Sequence, residues 1–257
     1  MLDLFGPRWH IGCSPTSLAL VQRDRFGHHI GVAIERDWQA GANPAAMLIA
    51  QLHLALDQAG CTGARATLVL SDDWCRIGIA RSTAELAESC GTGSEPGIWS
   101  WQASAGKPCL AVAIPAPLLV LLVNTVARYR LRGVVPMPHC LIAWKRWQGD
   151  LKSADWFGIV HDSRITLVSR SGGKMRGVLQ QSLHQDDMKN PDWLAACACI
   201  ESARRGLPAP LRIVLCGEVP EPWTRMSSGR LACIALREKK LPAGSLAVAL
   251  AQAGIPA

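Results

Sequence analysis

The chain has 257 residues, of which 49% are hydrophobic and 18% are charged, and its formal net charge is +7. This composition is that of a globular protein and excludes the disordered and fibrous classes. The length suffices for one large domain or two small ones with a hydrophobic core. The basic residues occur singly or in small groups, without the clustered face that nucleic-acid binding requires, so we expect no nucleic-acid partner.

Three short strands followed by a helix occur twice along the chain. The segments are rich in Val, Ile, Thr, Trp and Phe and are bounded by turn residues, among them Phe26-Gly27 and Gly172-Gly173. The strands of the first set are predicted at Trp9–Cys13, Ser17–Arg23 and His29–Glu35, and those of the second at Trp156–His161, Ser163–Ser169 and Lys174–Gln180. The chain therefore contains two copies of one β-β-β-α-β plan.

Helix signals follow each set of three strands. Asn43-Pro44 is typical of an N-cap with proline at the first helical position, and Gly60 ends that helix. Asn190-Pro191 predicts a second such start, with Gly206 as its end. The further predicted elements are strands at Arg65–Ser71, Trp74–Arg81, Val134-Val135, Leu211–Leu215 and Leu231–Leu236, and helices at His139–Gln148 and Ser245–Ala253.

The stretch from Leu110 to Ala127 is uncharged over about the length of a membrane span. Pro115 and Pro117 would break a helix near its middle, so we expect a strand that ends at Ile114 and a buried helix from Pro117 to about Leu131. A membrane span is the alternative. The N-terminal residues lack the basic and apolar regions of a secretory signal, and the 10 cysteines form no CxxC motif. These features predict a cytoplasmic protein with buried, reduced thiols.

We expect two domains, residues 1–152 and 153–257. Within the first, residues 82–107 are rich in Ser, Gly, Glu and Ala and predict an inserted, exposed subdomain. Trp99 and Trp101 lie two residues apart in this polar segment. They are candidates for a partner-binding surface, with a place in the core as the equal alternative.

Two tandem β-β-β-α-β halves are typical of the duplicated ribonuclease-H-like fold of the actin and sugar-kinase superfamily, an α/β fold with two mixed five-stranded sheets. The opening MLDLFGPRWHIGCSPTSLALVQ resembles the start of the pilus-assembly protein family PilM, with a Phe-Gly segment, a strand, a small-polar turn and a second strand. The middle stretch LAVAIPAPLLVLLVNTVARYRLRGVVPMPHCLIAW is similar to the same family's strand, helix, short strand and short helix. The cytoplasmic domain of the type II secretion protein GspL, which has the same fold, is an equally near relative.

The resemblance implies where a nucleotide site would lie. In actin-like ATPases the first strand ends in an Asp that organises Mg²⁺, and this sequence has Gly12 at that place. The hydroxyls of Ser14, Thr16 and Ser17 follow in the first phosphate turn. The second phosphate turn lacks its Gly and contains Asp162, and the adenosine-side Gly-Gly pair is reduced to Cys216-Gly217.

From these departures we expect the fold to be kept and the ATP site to be vestigial, so that no cofactor binds. The expected function is that of a non-catalytic scaffold in a type IV pilus or type II secretion assembly. The implied partners are inner-membrane proteins of that assembly, and peripheral membrane association is possible. The first alternative is an active actin-like ATPase or kinase that binds Mg²⁺-ATP, with Asp162 recruiting the metal.

A nuclease of the ribonuclease-H type is a further alternative, because Asp72-Asp73 follows a strand as half of a two-metal site would. The partner carboxylate on the first strand is absent, so a turn and cap pair is the preferred interpretation. His161, next to Asp162, is a weak candidate for acid–base chemistry, since no nucleophile is evident near it.

Overall fold

The structure, a computed structural model, describes residues 8–24, 30–31, 33–39, 41–80, 85, 97–101, 109–151, 153–161, 164–172, 174–225, 231–236 and 246–253. Strands and helices are numbered in chain order. The helices are α1 (Pro44–Ala59), α2 (Ala116–Arg128), α3 (His139–Trp147), α4 (Gln185–Lys189), α5 (Trp193–Arg204), α6 (Glu221–Thr224) and α7 (Leu246–Ala253), and a 3₁₀ turn spans Asp72–Trp74.

Two five-stranded sheets have the same plan. The first contains β1 (Arg8–Cys13), β2 (Ser17–Arg23), β3 (Ile34–Asp37), β4 (Arg65–Leu70) and β8 (Pro136–Pro138) in the order β3-β2-β1-β4-β8. The second contains β9 (Trp156–His161), β10 (Arg164–Ser171), β11 (Lys174–Ser182), β12 (Arg212–Gly217) and β13 (Ala232–Ala235) in the order β11-β10-β9-β12-β13. In each sheet the first three strands are antiparallel and the last two run parallel to the central first strand. The predicted duplicated α/β fold, with β1 and β9 central, is confirmed.

A third, antiparallel sheet arises from the region of the predicted insert. It contains β5 (Arg76–Ala80), β6 (Gly97–Trp101) and β7 (Cys109–Ile114) in the order β5-β7-β6. The predicted insert therefore includes a paired strand, β6. Trp99 and Trp101 belong to β6, but their side chains lie outside the described part of the structure. The partner surface predicted there remains a prediction.

The uncharged middle stretch is a strand followed by a helix, as the two prolines predict, because β7 ends at Ile114 and α2 begins at Ala116. No helix within the described ranges is long and apolar enough to cross a membrane. The alternative of a membrane span through this stretch is thus wrong.

Three local predictions are wrong. The third strand is Ile34–Asp37 rather than His29–Glu35, and His29 and Val32 of the predicted range lie outside the described residues. The strand predicted at Val134-Val135 is Pro136–Pro138. The N-cap of α5 is Asp192 rather than Asn190, because the Asn190 side chain accepts a hydrogen bond from the Asp192 amide at 3.0 Å and makes a turn before the helix starts.

Helices bury both faces of the first sheet. On the first sheet, α1 and α2 cover one face, where Leu48, Leu52 and Leu118 join Ile11 and Leu68 in the core. The other face is covered by α7, which follows the second sheet in sequence but packs on β1, β2 and β4.

The core continues into the second sheet. Along β9 the side chains alternate, so that Phe157 and Ile159 face the first half while Trp156 and Val160 face α5 and α6. The two halves thus share one hydrophobic core.

Candidate functional site at the junction of the two halves

The first turn of the chain, between β1 and β2, is closed by its own hydrogen bonds. The hydroxyl oxygens of Ser14 and Ser17 are 2.7 Å apart, and the Ser14 hydroxyl accepts from the Ser17 amide at 2.9 Å and the Thr16 amide at 3.3 Å. Ser14 and Ser17 are buried, and only Thr16 is partly exposed. Both serine hydroxyls therefore bond within the turn rather than present themselves to a phosphate.

Helix α7 fills the space beside Gly12. A Cβ atom built at Gly12 would lie 2.0 Å from the carbonyl oxygen of Ala247 and 2.5 Å from the amide nitrogen of Ala251. Both are backbone atoms, so the conflict cannot be relieved by rotating a side chain. A carboxylate at position 12, which the resemblance places in active relatives, does not fit unless α7 moves.

The end of β12 depends on glycine at position 217. Gly217 has a φ of 89°, and a Cβ there would lie 2.1 Å from the carbonyl oxygen of Val160. The same carbonyl accepts a hydrogen bond from the Glu218 amide at 2.8 Å, so the chain turns tightly against β9. Gly217 is exposed and adjoins the ring of His161. Asp162, the next predicted site residue, lies outside the described residues.

Two buried histidines link the halves at the ends of β9 and β8. The Nε2 atom of His161 lies 2.7 Å from the Nδ1 atom of His139, the first residue of α3. Burial lowers the pKa of His161 to about 4 and lowers the pKa of His139 well below its usual value. Both rings are therefore neutral at pH 7, and one N–H donates to the other ring. The Nδ1 atom of His161 has no hydrogen-bond partner among the described residues.

Asp72 is buried where the 3₁₀ turn meets α3 and β10. One carboxylate oxygen, Oδ1, accepts from the Cys140 amide at 2.9 Å, and the Thr166 hydroxyl of the second half donates to the same carboxylate. Burial raises the pKa of Asp72 to about 6, although these hydrogen bonds oppose the rise. The Asp72 carboxylate thus connects α3 of the first half to β10 of the second half.

Two more side chains of the second half hold the same turn. Arg164 pairs with Asp73 at 2.7 Å between Nε and Oδ1. The Gln180 side chain accepts from the Ile77 amide at 3.0 Å and donates to the carbonyls of Asp72 and Cys75 at 3.4 and 3.3 Å. We call Asp72, Asp73, Arg164, Thr166 and Gln180 the inter-half clamp.

The clamp was not predicted from the sequence. Asp72-Asp73 does form a turn, as expected, but Asp72 is buried and bonded across the junction rather than a surface cap. Arg164, Thr166 and Gln180 lie far from it in sequence, and no local pattern marks them. The one available signal was that polar residues end strands in both halves.

The contacts form a continuous series across the junction. The Cys13 carbonyl accepts from the Ser71 amide at 2.8 Å, Asp72 binds Cys140, the adjacent His139 contacts His161, and His161 adjoins Gly217. The predicted residues Ser14, Ser17 and Gly217 thus lie at the two ends of this series. No group of three or more His, Cys, Asp or Glu side chains that could hold a metal ion occurs within the described ranges.

The two duplicated sheets and their helices have the actin-like ATPase fold. No protein-family model and no curated protein matches the sequence, so the comparison rests on solved structures. The first, a Bacteroides thetaiotaomicron protein with an actin-like ATPase fold and unknown function, is 9% identical with a TM-score of 0.63, over 92% of this chain and 94% of that one.

Two further structures bear on the predicted relatives. The cytoplasmic domain of EpsL, an inner-membrane component of the type II secretion system of Vibrio cholerae, is 10% identical with a TM-score of 0.56, over 96% of this chain and 94% of that one. A chain of the PilM–PilN type IV pilus biogenesis complex is 13% identical with a TM-score of 0.50, over 89% and 88%. The resemblance to PilM and to the GspL cytoplasmic domain is confirmed at the level of the fold.

Proposed function

We propose that the chain is a non-catalytic, actin-like scaffold that docks to inner-membrane proteins of a type IV pilus or type II secretion assembly from the cytoplasmic side. The fold shared with EpsL and PilM supports the assembly context. The observation that carries the non-catalytic role is the packing of α7 against Gly12, where active relatives hold the carboxylate that organises the metal.

The first turn supports the same proposal. Phosphate binding in this architecture needs free donors at the turn and a metal held by a carboxylate. Here the Ser14 hydroxyl is buried and bonded to Ser17, and its lone pairs are used by two amides of the turn. The phosphates of a nucleotide would meet neither a free serine hydroxyl nor a metal ligand at position 12.

Calorimetry with Mg²⁺-ATP tests the vestigial site. We expect no binding, or binding too weak to saturate, for the wild-type protein and for Asp162→Ala alike. Affinity in the low micromolar range that Asp162→Ala abolishes would instead establish a working ATPase.

A direct titration tests the scaffold role. The probe is the purified cytoplasmic segment of an inner-membrane pilus or secretion protein from the same cell. A binding partner is expected because PilM was solved in a type IV pilus biogenesis complex with PilN. We expect saturable, equimolar binding that is the same with and without Mg²⁺-ATP. Failure of every such segment of both assemblies to bind would contradict the proposal.

A further inference from the structure

Four arginines that are scattered in sequence form one row across the first sheet. Arg8 of β1 is in register with Arg23 of β2 on one side and with Arg65 of β4 on the other. Arg65 in turn forms a parallel bridge with Arg132, on the segment that leads into β8. Because neighbouring strands lie about 4.8 Å apart, the row Arg23–Arg8–Arg65–Arg132 spans about 14 Å.

All four side chains leave the same face of the sheet, because residues directly opposite one another on paired strands point the same way. Along β1 this is the face of Gly12, which α7 covers further along the strand. The row lies at the other end of β1 from the junction, where Arg8 and Arg132 are exposed and Arg23 and Arg65 are half-buried. We call these four residues the arginine row.

Within the row, Arg8 and Arg65 are an electrostatically unfavourable pair. Arginine remains protonated in proteins, and like charges directly opposite on paired strands destabilise a sheet. Among the described residues, the guanidinium groups of Arg8 and Arg65 have no carboxylate partner. An external group that carries several negative charges would relieve this repulsion.

We propose that the arginine row is a docking site for an acidic segment of a partner protein. Guanidinium groups bind carboxylates through two parallel hydrogen bonds, so a row of them matches successive Asp or Glu side chains. A flexible peptide can bring carboxylates both to the exposed Arg8 and to the half-buried Arg65, whereas a flat bilayer reaches only Arg8.

A single-stranded nucleic acid fits the row less well. Such strands are held by aromatic side chains on which bases stack, in addition to cations. Trp9, the aromatic residue next to Arg8, packs into the core on the opposite face of the sheet. Within the described ranges, no exposed aromatic side chain accompanies the row.

The test measures binding of a fluorescein-labelled oligoglutamate peptide by fluorescence anisotropy at low salt. We expect Arg8→Gln/Arg65→Gln to bind the peptide at least about tenfold more weakly than the wild type, since each charged hydrogen bond contributes more than 1 kcal/mol. The matched control is Arg204→Gln/Arg225→Gln, which lowers the net charge equally at two exposed sites on α5 and next to α6. It should bind within about twofold of the wild type.

Equal weakening in both double variants would show a non-specific charge effect and overturn the proposal, as would an absence of peptide binding. Tighter binding of a deoxyoligonucleotide, or of phosphatidylserine vesicles, that is lost in Arg8→Gln/Arg65→Gln would assign the row to that ligand instead. A circular-dichroism melt of each variant verifies that the fold is kept. The arginine row lies at the opposite end of β1 from the candidate site at the junction of the two halves. The result of the peptide titration is therefore independent of the result of the Mg²⁺-ATP titration.

Discussion

Replacing Gly12 with alanine tests whether α7 closes the first sheet as described. The added Cβ would lie 2.0 Å from the Ala247 carbonyl oxygen, so the helix must move by more than 1 Å, or the strand must bend, to reach ordinary contact distance. Overpacking of this kind costs about 1–3 kcal/mol. The loss of unfolded-state entropy on replacing Gly by Ala returns about 0.4–1 kcal/mol.

The net destabilisation by Gly12→Ala is therefore about 1–2 kcal/mol. In a chain of this size each kcal/mol shifts the melting temperature by about 2–4 °C, so we expect a decrease of about 2–8 °C in a circular-dichroism melt. Gly41→Ala is the matched control, because a Cβ at Gly41 meets no atom within 4 Å. It should melt at the wild-type temperature or slightly above. Equal melting temperatures for the two variants would refute the packing of α7 against Gly12.

Three further outcomes are expected. The pKa of His161 is about 4 in the folded protein and 6.5 in the unfolded chain, so its burial makes the free energy of unfolding rise with pH between these values. The pKa of Asp72 is about 6 in the folded protein and 3.8 in the unfolded chain, so its burial makes the free energy of unfolding fall as the pH rises from 4 to 6. Urea titrations at several pH values should therefore give a free energy of unfolding that rises less steeply with pH for His161→Gln than for the wild type, and more steeply for Asp72→Asn. Curves parallel to that of the wild type would contradict both pKa assignments. Gln180→Ala should lower the free energy of unfolding by about 1–2 kcal/mol in the same titrations, because the Ile77 amide loses its hydrogen-bond acceptor. The control Gln181→Ala, at an exposed neighbouring position, should change the free energy of unfolding little. Limited proteolysis should cut first between residues 82 and 107, and first cuts elsewhere would refute the assignment of an exposed insert.

The parts of the fold that follow from local chemistry were predictable. Proline at the start of α1 and Gly60 at its end fix that helix, and Gly60 has the left-handed φ of 61° that such an end requires. Short runs of strand-forming residues bounded by turn residues fix β2 and β9, whose predicted bounds are those of the structure.

The parts that depend on distant pairing were not predictable. The register of Arg8 with Arg65 places the two side by side only because a complete helix and a β-hairpin return the chain to β1. The bond from Asp72 to Cys140 likewise spans 68 residues. Nothing in the composition around Gly12 indicated that the helix covering it would come from the far end of the chain.

The covering of the first sheet by α7 affects the order in which the protein can fold during synthesis. Ala247 is translated about 235 residues after Gly12, which at about 5–20 residues per second corresponds to a delay of about 10–50 s. Once β4 has been made, β1, β2 and β4 present an uncovered face, with Ala19 among its side chains, until Ala247 and Val248 are translated. The first half therefore emerges from the ribosome as an open sheet, and a chain interrupted before α7 would expose the same face to chaperones and proteases.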